Sequence, residues 1–574
     1  MDSNNTTSSF LKKIRKIYST LSPEKVLVVW GSLLVSACFF AAALIVINAR
    51  FVMTIPTRGG ELHEGLVGTP RFINPVLATS PQDKDLTALI YAGLTKRDKN
   101  GVYVPDIAET IEKSEDGLHY SITLKPIARF HDGEKVTADD ILYTISLIQN
   151  PRIKSPHFIE WEAVTAEKIS DTEINISLKQ PFPLFMEALS IGILPKHLWK
   201  NLNEEQVSLS DYNIHAVGAG PFAIGNIDTI SGIPVQFNLT SHKYYTLGRP
   251  YLDGILISMF DSDKALINAY NNGTIERVYG LAPDELSQVT KLSKSTIATS
   301  RLPRVFSIFL NPNKAEFLSD KNVRKALSLA IDRTAIIDTV YKGYALSLSD
   351  PFPFDSAEGG DPRTASTTTL DDAKALLATS KYFKNASSTH EITLTTTNST
   401  ELRNVAEMVK KNWESLGITT HVLVYEPSDI NQSVIKERDF QALLYGSLIN
   451  HPSDLFAFFH SSQRAYPGLN ISGYVSAKLD KALSALRTAE SGGESIPEYD
   501  DVKKEFQEET PGIFMYSPTL LYVSDDGAET PLATSLLDTS ERFALSYTWY
   551  RNKERVWRGT YYKNAITKIE NILH

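Results

Sequence analysis

Apolar residues are unevenly distributed along the chain. Residues 26–47, VLVVWGSLLVSACFFAAALIVI, carry no charge. As a helix this run spans about 33 Å, enough for the ~30 Å apolar core of a bilayer. No later segment holds 18 uncharged apolar residues. Beyond it the pattern shortens and mixes two periods. Tyr120, Ile122 and Leu124 alternate with Ser121 and Thr123, which predicts a half-buried strand. The same alternation recurs at Ile174, Ile176 and Leu178, and at Val235, Phe237 and Leu239. Further strands are predicted at 305–310, 392–396, 421–424 and 442–445. Ile141, Ile145 and Ile148 have helical spacing behind Thr137 and Asp140, a capping-box pattern with Asp at its third position. Val323, Ala326, Leu327, Ala330 and Ile331 form a second apolar stripe, with Ser319 or Asp320 as its cap. This interleaving predicts α/β lobes. Segments 351–369, 384–388 and 491–498, rich in Pro, Gly, Ser or Thr, predict loops, and no internal repeat is present.

Composition narrows the class. The 574 residues amount to three or four domain-sized units and can bury a large core. With 58 Lys and Arg against 67 Asp and Glu, the net charge is −9, which argues against a nucleic-acid partner. The single Cys excludes an intramolecular disulfide and a Cys-rich zinc site. That Cys lies inside the apolar run. Lys12, Lys13, Arg15, Lys16 and Lys25 precede the run, so a spanning helix would keep the N-terminus in the cytoplasm and place the body outside. Val35-Ser36-Ala37-Cys38 also looks like a lipobox, where a lipoprotein is cut and acylated. The apolar run continues from Phe39 to Ile47, where a cleaved lipoprotein would carry a polar tether. This favours one transmembrane helix, with lipoprotein anchoring at Cys38 as the alternative.

Catalytic signatures are sparse. H-E-x-x-H, the phosphate-loop motif, G-x-G-x-x-G after a strand and G-x-S-x-G are all absent. Ser433-Val-Ile-Lys436 matches S-x-x-K, but S-D-N and K-T-G do not follow. The 12 His are scattered, and His451 and His460 lack a third clustered ligand. His131 and Asp132, in Phe130-His-Asp-Gly133, read as a turn before a helix.

An ordered series of short motifs resembles the extracytoplasmic solute-binding proteins of ABC transporters, in the oligopeptide/dipeptide/nickel branch (family 5). It begins at Gly59-Gly-Glu-Leu62, Phe72-Ile-Asn-Pro75 and Tyr91-Ala-Gly-Leu94. Pro105-Asp-Ile-Ala-Glu109, Ser114-Glu-Asp-Gly-Leu118, Arg129-Phe-His-Asp-Gly133 and Val136-Thr-Ala-Asp-Asp140 follow. Val217-Gly-Ala-Gly-Pro-Phe222 and Arg249-Pro-Tyr-Leu-Asp253 come next. The second half adds Leu318 to Leu327, Ala330-Ile-Asp-Arg333, Asn470-Ile-Ser-Gly-Tyr474, Ser540-Glu-Arg-Phe543 and Trp549-Tyr550. The resemblance covers about 59–557.

The resemblance implies a two-lobed, periplasmic-binding-protein-like α/β fold of type II with an extra subdomain. The expected divisions are a cytoplasmic tail at 1–25, the anchor at 26–48 and a linker at 49–58. Lobe I would comprise 59–300, with an inserted subdomain at about 96–200. Lobe II would be 301–529, and 530–574 would return to lobe I. The implied function is capture of a peptide or peptide-like solute by hinge closure, for an ABC permease in the cytoplasmic membrane. The receptor body would be monomeric, with no enzymatic activity, cofactor or metal.

In peptide-binding members an Asp at a strand end of the second lobe pairs with the peptide α-ammonium. The corresponding stretch is Tyr445-Gly-Ser-Leu-Ile-Asn-His-Pro452, which puts Leu448 at that position, with Asp454 six residues on. Burying an unpaired ammonium there would cost several kcal/mol. N-blocked, cyclic, longer or non-peptide ligands therefore remain open. Tyr445 is a candidate cleft aromatic. Gly446 and Ser447 offer backbone groups, and His451, His460, Gln463 and Asn470 offer polar contacts. His460 is also the one attractive residue for a metal-chelate ligand. Two alternatives stand beside this reading: an anchored cell-wall-peptide enzyme of penicillin-binding type using Ser433, and a sensing or interaction protein on the same fold.

Overall fold

The alternating segments form strands with the expected faces inward. In His119–Leu124, Tyr120, Ile122 and Leu124 are buried. In Glu173–Leu178, Ile174, Ile176 and Leu178 are buried too. These two strands pair antiparallel within a four-stranded sheet that also contains Ala108–Lys113 and Val164–Ser170. The computed structural model describes residues 22–352, 370–384, 390–488, 497–525 and 527–557. Most of each expected loop (353–369, 385–388 and 491–496) lies outside the described residues, as do 1–21 with four of the five N-terminal basic side chains.

Helix Ala138–Ile148 covers the four-stranded sheet with Ile141, Ile145 and Ile148 buried. Its Asp140 does the work expected of a capping-box Glu. The carboxylate accepts from the Thr137 backbone N–H at 2.9 Å and from its hydroxyl at 2.8 Å. The second predicted stripe becomes helix Lys321–Leu329. Its cap is Asp320, which accepts from the Asn322 N–H at 2.9 Å.

Two compact units divide the chain. The larger, residues 59–549, is built on one path of hydrogen-bonded strands. In spatial order these are Ile418–Tyr425, His390–Thr397, Ala442–Leu448, Arg304–Leu310, Gly512–Ser524, Arg277–Tyr279, Glu61–Val67, Gly254–Phe260, Ile233–Ser241 and Phe222–Ile230. The 13-residue strand Gly512–Ser524 belongs to both lobes. Its first part pairs with 306–309, and its last part pairs with 296–301 and 277–279. This strand therefore joins two groups of strands that are also linked through Leu302 and Pro303.

Each lobe has its own core. Leu62, Ile122, Trp161, Trp199 and Phe237 belong to the first, joined from the far end of the chain by Phe543 and Trp549. In the second lobe, alternate residues of each strand feed opposite sides of the sheet. Ile308, Leu444, Ile513 and Trp413 pack on one side. Phe309, Leu443, Phe514 and Phe459 pack on the other.

One buried charge cluster ties the end of lobe I to its beginning. Arg542, wholly buried, donates to Asp85 at 2.7 and 2.9 Å and to Glu64 at 3.1 and 2.9 Å. Tyr279 donates to Asp85 at 2.8 Å, and Tyr522 donates to Glu64.

A second seam joins two of the sequence motifs. The His131 ring accepts from the Gly218 N–H at Nδ1 (3.3 Å), leaving Nε2–H to donate to the Gly220 carbonyl (3.2 Å). The ring of His242 lies edge-on at 4.8 Å. His131 is half-buried, but its nitrogens point inward. Burial, and then the neighbouring His242, lower its pKa from 6.5 to about 3. Asp132 opposes this only weakly. The unfolded chain takes up this proton first. Stability is therefore complete above pH 6.5 and declines as pH falls toward 3. We expect a loss of up to about 2 kcal/mol between pH 7 and pH 5 by denaturant unfolding. His131→Gln should flatten that part of the profile; an unchanged slope would contradict the assignment.

The smaller unit contains helix Pro23–Phe51, 29 residues long, and a two-stranded ribbon. Within residues 23–43 an 18-residue window has mean hydropathy 2.3, and none of that window is buried. Strand Val52–Thr57, in the segment read as a linker, pairs antiparallel with Asn552–Trp557.

Candidate ligand-binding cleft

Four of the candidate residues, Tyr445, Gly446, Ser447 and Leu448, end strand Ala442–Leu448, beside Leu302 and Pro303. Leu448 pairs with Arg304, and the Ile449 N–H donates to the Pro303 carbonyl at 2.8 Å. Alternation separates the four strand residues into two faces. Tyr445 and Ser447 point toward the side of Phe309 and Leu443, and Tyr445 donates to the Asn431 Oδ1 at 3.3 Å. Gly446 and Leu448 point to the other side. A Cβ on Gly446 would meet the Phe306 ring at 2.9 Å, so the glycine lets that ring lie across the strand. Phe306 stacks on Tyr516 (5.1 Å), which in turn contacts Tyr341 (4.6 Å). Burial pushes the Tyr341 hydroxyl up to about 12, so it stays protonated and donates to Tyr516 at 3.0 Å. Leu448 is 58% exposed, next to this aromatic cluster in register.

Asp454 is already committed. Its carboxylate accepts from the Asn450 and His451 N–H groups at 2.9 and 3.0 Å and caps the turn that follows. This pins the His451 loop. His451 Nε2 lies 2.9 Å from Glu187 Oε2, on the short helix Phe185–Ala188 of lobe I, and both atoms are shielded from solvent. The Glu187 carboxylate also acts on Tyr103. Burial, and then the carboxylates of Glu541 and Glu187, raise the Tyr103 pKa. Nearby, Arg97 pairs with Glu541 at 2.8 Å. His451 thus meets a carboxylate from a segment far away in sequence. Glu187, absent from the sequence reading, is the group it meets.

The other polar candidates are engaged locally. His460 Nδ1 accepts from the Ser462 N–H at 3.1 Å, and its ring stacks on Phe456 at 4.1 Å. Gln463 Nε2 donates to Ser462 at 3.1 Å. Asn470 is wholly buried; its amide donates to the carbonyls of Phe459, His460 and Tyr474 and its oxygen accepts from Ser472. These contacts fold 460–474 onto itself. Among the described residues, no group of three or more His, Cys, Asp or Glu is placed to hold a metal ion. The Lys436 ammonium lies over the Tyr466 ring at 5.7 Å. A cavity of about 470 Å³ lies elsewhere, on the four-stranded sheet between His119, Glu167 and Asn175.

Comparison with known proteins completes the assignment. The model of the bacterial extracellular solute-binding proteins, family 5, matches residues 102–466. The chain belongs to this family. It is an extracytoplasmic solute-binding protein and not an enzyme. The oligopeptide-binding protein AppA of Bacillus subtilis is 26% identical over 481 residues, 81% of this chain and 87% of AppA. The structure of that AppA with a nonapeptide has a TM-score of 0.60 and 24% identity, covering 87% of this chain and all of the other. NikZ of Campylobacter jejuni, solved with Ni(L-His), has a TM-score of 0.64 and 23% identity, covering 85% and 99%. The structural likenesses establish the two-lobed α/β fold.

Proposed function

We propose that this protein is a membrane-anchored receptor that captures a peptide or peptide-like solute between its lobes and delivers it to an ABC permease. The observation that carries the reading is the strand end at Tyr445–Leu448. It stands beside Leu302 and Pro303, with an exposed apolar side chain and an aromatic cluster in register. Similarity to AppA along most of both chains supports peptides as the solute class. A solute bridging the lobes would favour closure about strand Gly512–Ser524 and the Leu302–Pro303 link. Helix Pro23–Phe51 is long enough, at about 43 Å, to act as the anchor.

A thermal-shift screen of the full chain against peptides, sugars and metal chelates tests the reading, with native mass spectrometry of co-purified ligands. Peptides should raise the melting temperature; no stabilisation by any class would overturn solute capture.

Leu448 makes the ligand preference specific. Neither it nor the committed Asp454 offers a carboxylate to a peptide ammonium. N-acetylated peptides should therefore bind at least as well as free ones. Leu448→Asp should raise the affinity for free-N-terminal peptides by about 10- to 100-fold, the worth of a charge-assisted hydrogen bond. Calorimetry with paired free and acetylated peptides reads this directly. An equal response of both peptides would remove Leu448 from the ammonium position.

A further inference from the structure

We propose that the ribbon Val52–Thr57/Asn552–Trp557 is a lipid-binding element whose Trp557 face rests on an anionic bilayer surface. It would fasten the C-terminal strand of the receptor to the membrane beside its N-terminal helix. The proposal rests on the reading of Pro23–Phe51 as a membrane anchor.

Three observations carry it. The first is continuity. The strand begins at Val52, immediately after the helix ends at Phe51, and Val52 is paired with Trp557. The pairing therefore brings the C-terminal strand to the residue at which the chain leaves the apolar segment. Phe51 and Trp557 are 50% and 56% exposed.

The second is the distribution of side chains. Residues paired across an antiparallel ribbon share a face, and alternate residues along each strand share a face. Trp557, Arg555 and Lys553 thus lie on one side with Val52, Thr54 and Pro56. The tryptophan is nearest the helix, and the two cations follow at two-residue intervals. Exposed Trp at the depth of lipid headgroups, with basic side chains just beyond, is the arrangement favoured at a membrane interface.

The third is charge. The whole chain is acidic, at −9, yet residues 50–58 and 550–557 contain Arg50, Arg58, Arg551, Lys553 and Arg555 against Glu554 alone. A locally basic ribbon on an acidic protein fits anionic headgroups and is mismatched to a zwitterionic surface.

Intrinsic fluorescence tests the proposal in the full-length protein. Trp161, Trp199, Trp413 and Trp549 are at most 1% exposed, so after Trp30→Phe the lipid-accessible tryptophan is Trp557. The Trp30→Phe protein is inserted into phosphatidylglycerol-containing vesicles whose acyl chains are brominated near the glycerol end. The emission that Trp557→Phe removes should fall by about half, with little quenching by aqueous iodide. Lys553→Glu with Arg555→Glu, or replacement of phosphatidylglycerol by phosphatidylcholine, should restore most of it. Quenching of Trp557 by iodide and not by bromolipid would overturn the proposal. A fluorophore on Cys38, the only cysteine, reports the anchor separately. If Cys38 is shielded by lipid while Trp557 is aqueous, the ribbon proposal fails and the anchor stands. If Cys38 itself is aqueous, the anchor reading fails first.

Discussion

Replacing Arg542 by methionine is expected to destabilise the folded protein by about 3–5 kcal/mol, read as a lowered midpoint in denaturant unfolding. Methionine approximates the length of the arginine stem but leaves Glu64 and Asp85 inside the lobe without the guanidinium that pairs with both. Both carboxylates are at most 1% exposed, and Arg542 supplies four hydrogen bonds to them. Burial alone would pull the guanidinium pKa down, but Asp85 and then Glu64 outweigh this and push it well above its usual range. Tyr279 and Tyr522 occupy carboxylate oxygens with their hydroxyls, so they cannot compensate for the lost charge. Arg542→Lys tests geometry apart from charge. It keeps one cation but loses the fork that engages two carboxylates at once, so its loss should fall between wild type and Arg542→Met. A methionine variant within 1 kcal/mol of wild type would contradict this account of the cluster.

Gly218→Ala should be nearly as damaging, by about 3 kcal/mol. An added Cβ would stand 2.1 Å from the Ile90 carbonyl oxygen, which is backbone and cannot swing aside. The same carbonyl accepts from the Gly220 N–H at 2.8 Å, and the Gly218 carbonyl accepts from His131 at 2.8 Å. Relieving the clash would therefore open the seam that holds His131 neutral. Gly512→Ala is the matched control. Its Cβ would find nothing closer than 3.7 Å, and its stability should stay within about 1 kcal/mol of wild type. Equal behaviour of the two variants in denaturant unfolding would remove steric closeness as the reason for glycine at 218.

Periodicity identified which side of an element faces inward, because burial follows local spacing. His119–Leu124, Glu173–Leu178 and helix Ala138–Ile148 are examples. Partners across long separations left no comparable trace. Glu187 meets His451, and Val52–Thr57 meets Asn552–Trp557, only through tertiary placement. The second case also has Pro56 in a short strand, which weakens any strand signal. Polar residue type misleads for a related reason. Asn470 and His460 look equally suited to a ligand or to a loop's own backbone, and three carbonyls within reach of one amide decide for the loop at Asn470. That Leu448 is uncharged is legible directly, since the absence of a carboxylate is a property of the residue alone. The aromatic neighbours Phe306, Tyr516 and Tyr341 come from three separate segments and had no shared motif to reveal them.

The Arg542 cluster also bears on the order in which the protein can be made. Glu64 and Asp85 precede their counter-ion by 478 and 457 residues. During synthesis from the N-terminus, both carboxylates wait until the chain is nearly finished before they can be buried as ions. Among the described residues, the two cores built between 304 and 516 contain no side chain beyond Tyr516. The first lobe to emerge is therefore the last to close, and an export or folding factor would meet its incomplete face for most of the time the chain is being produced.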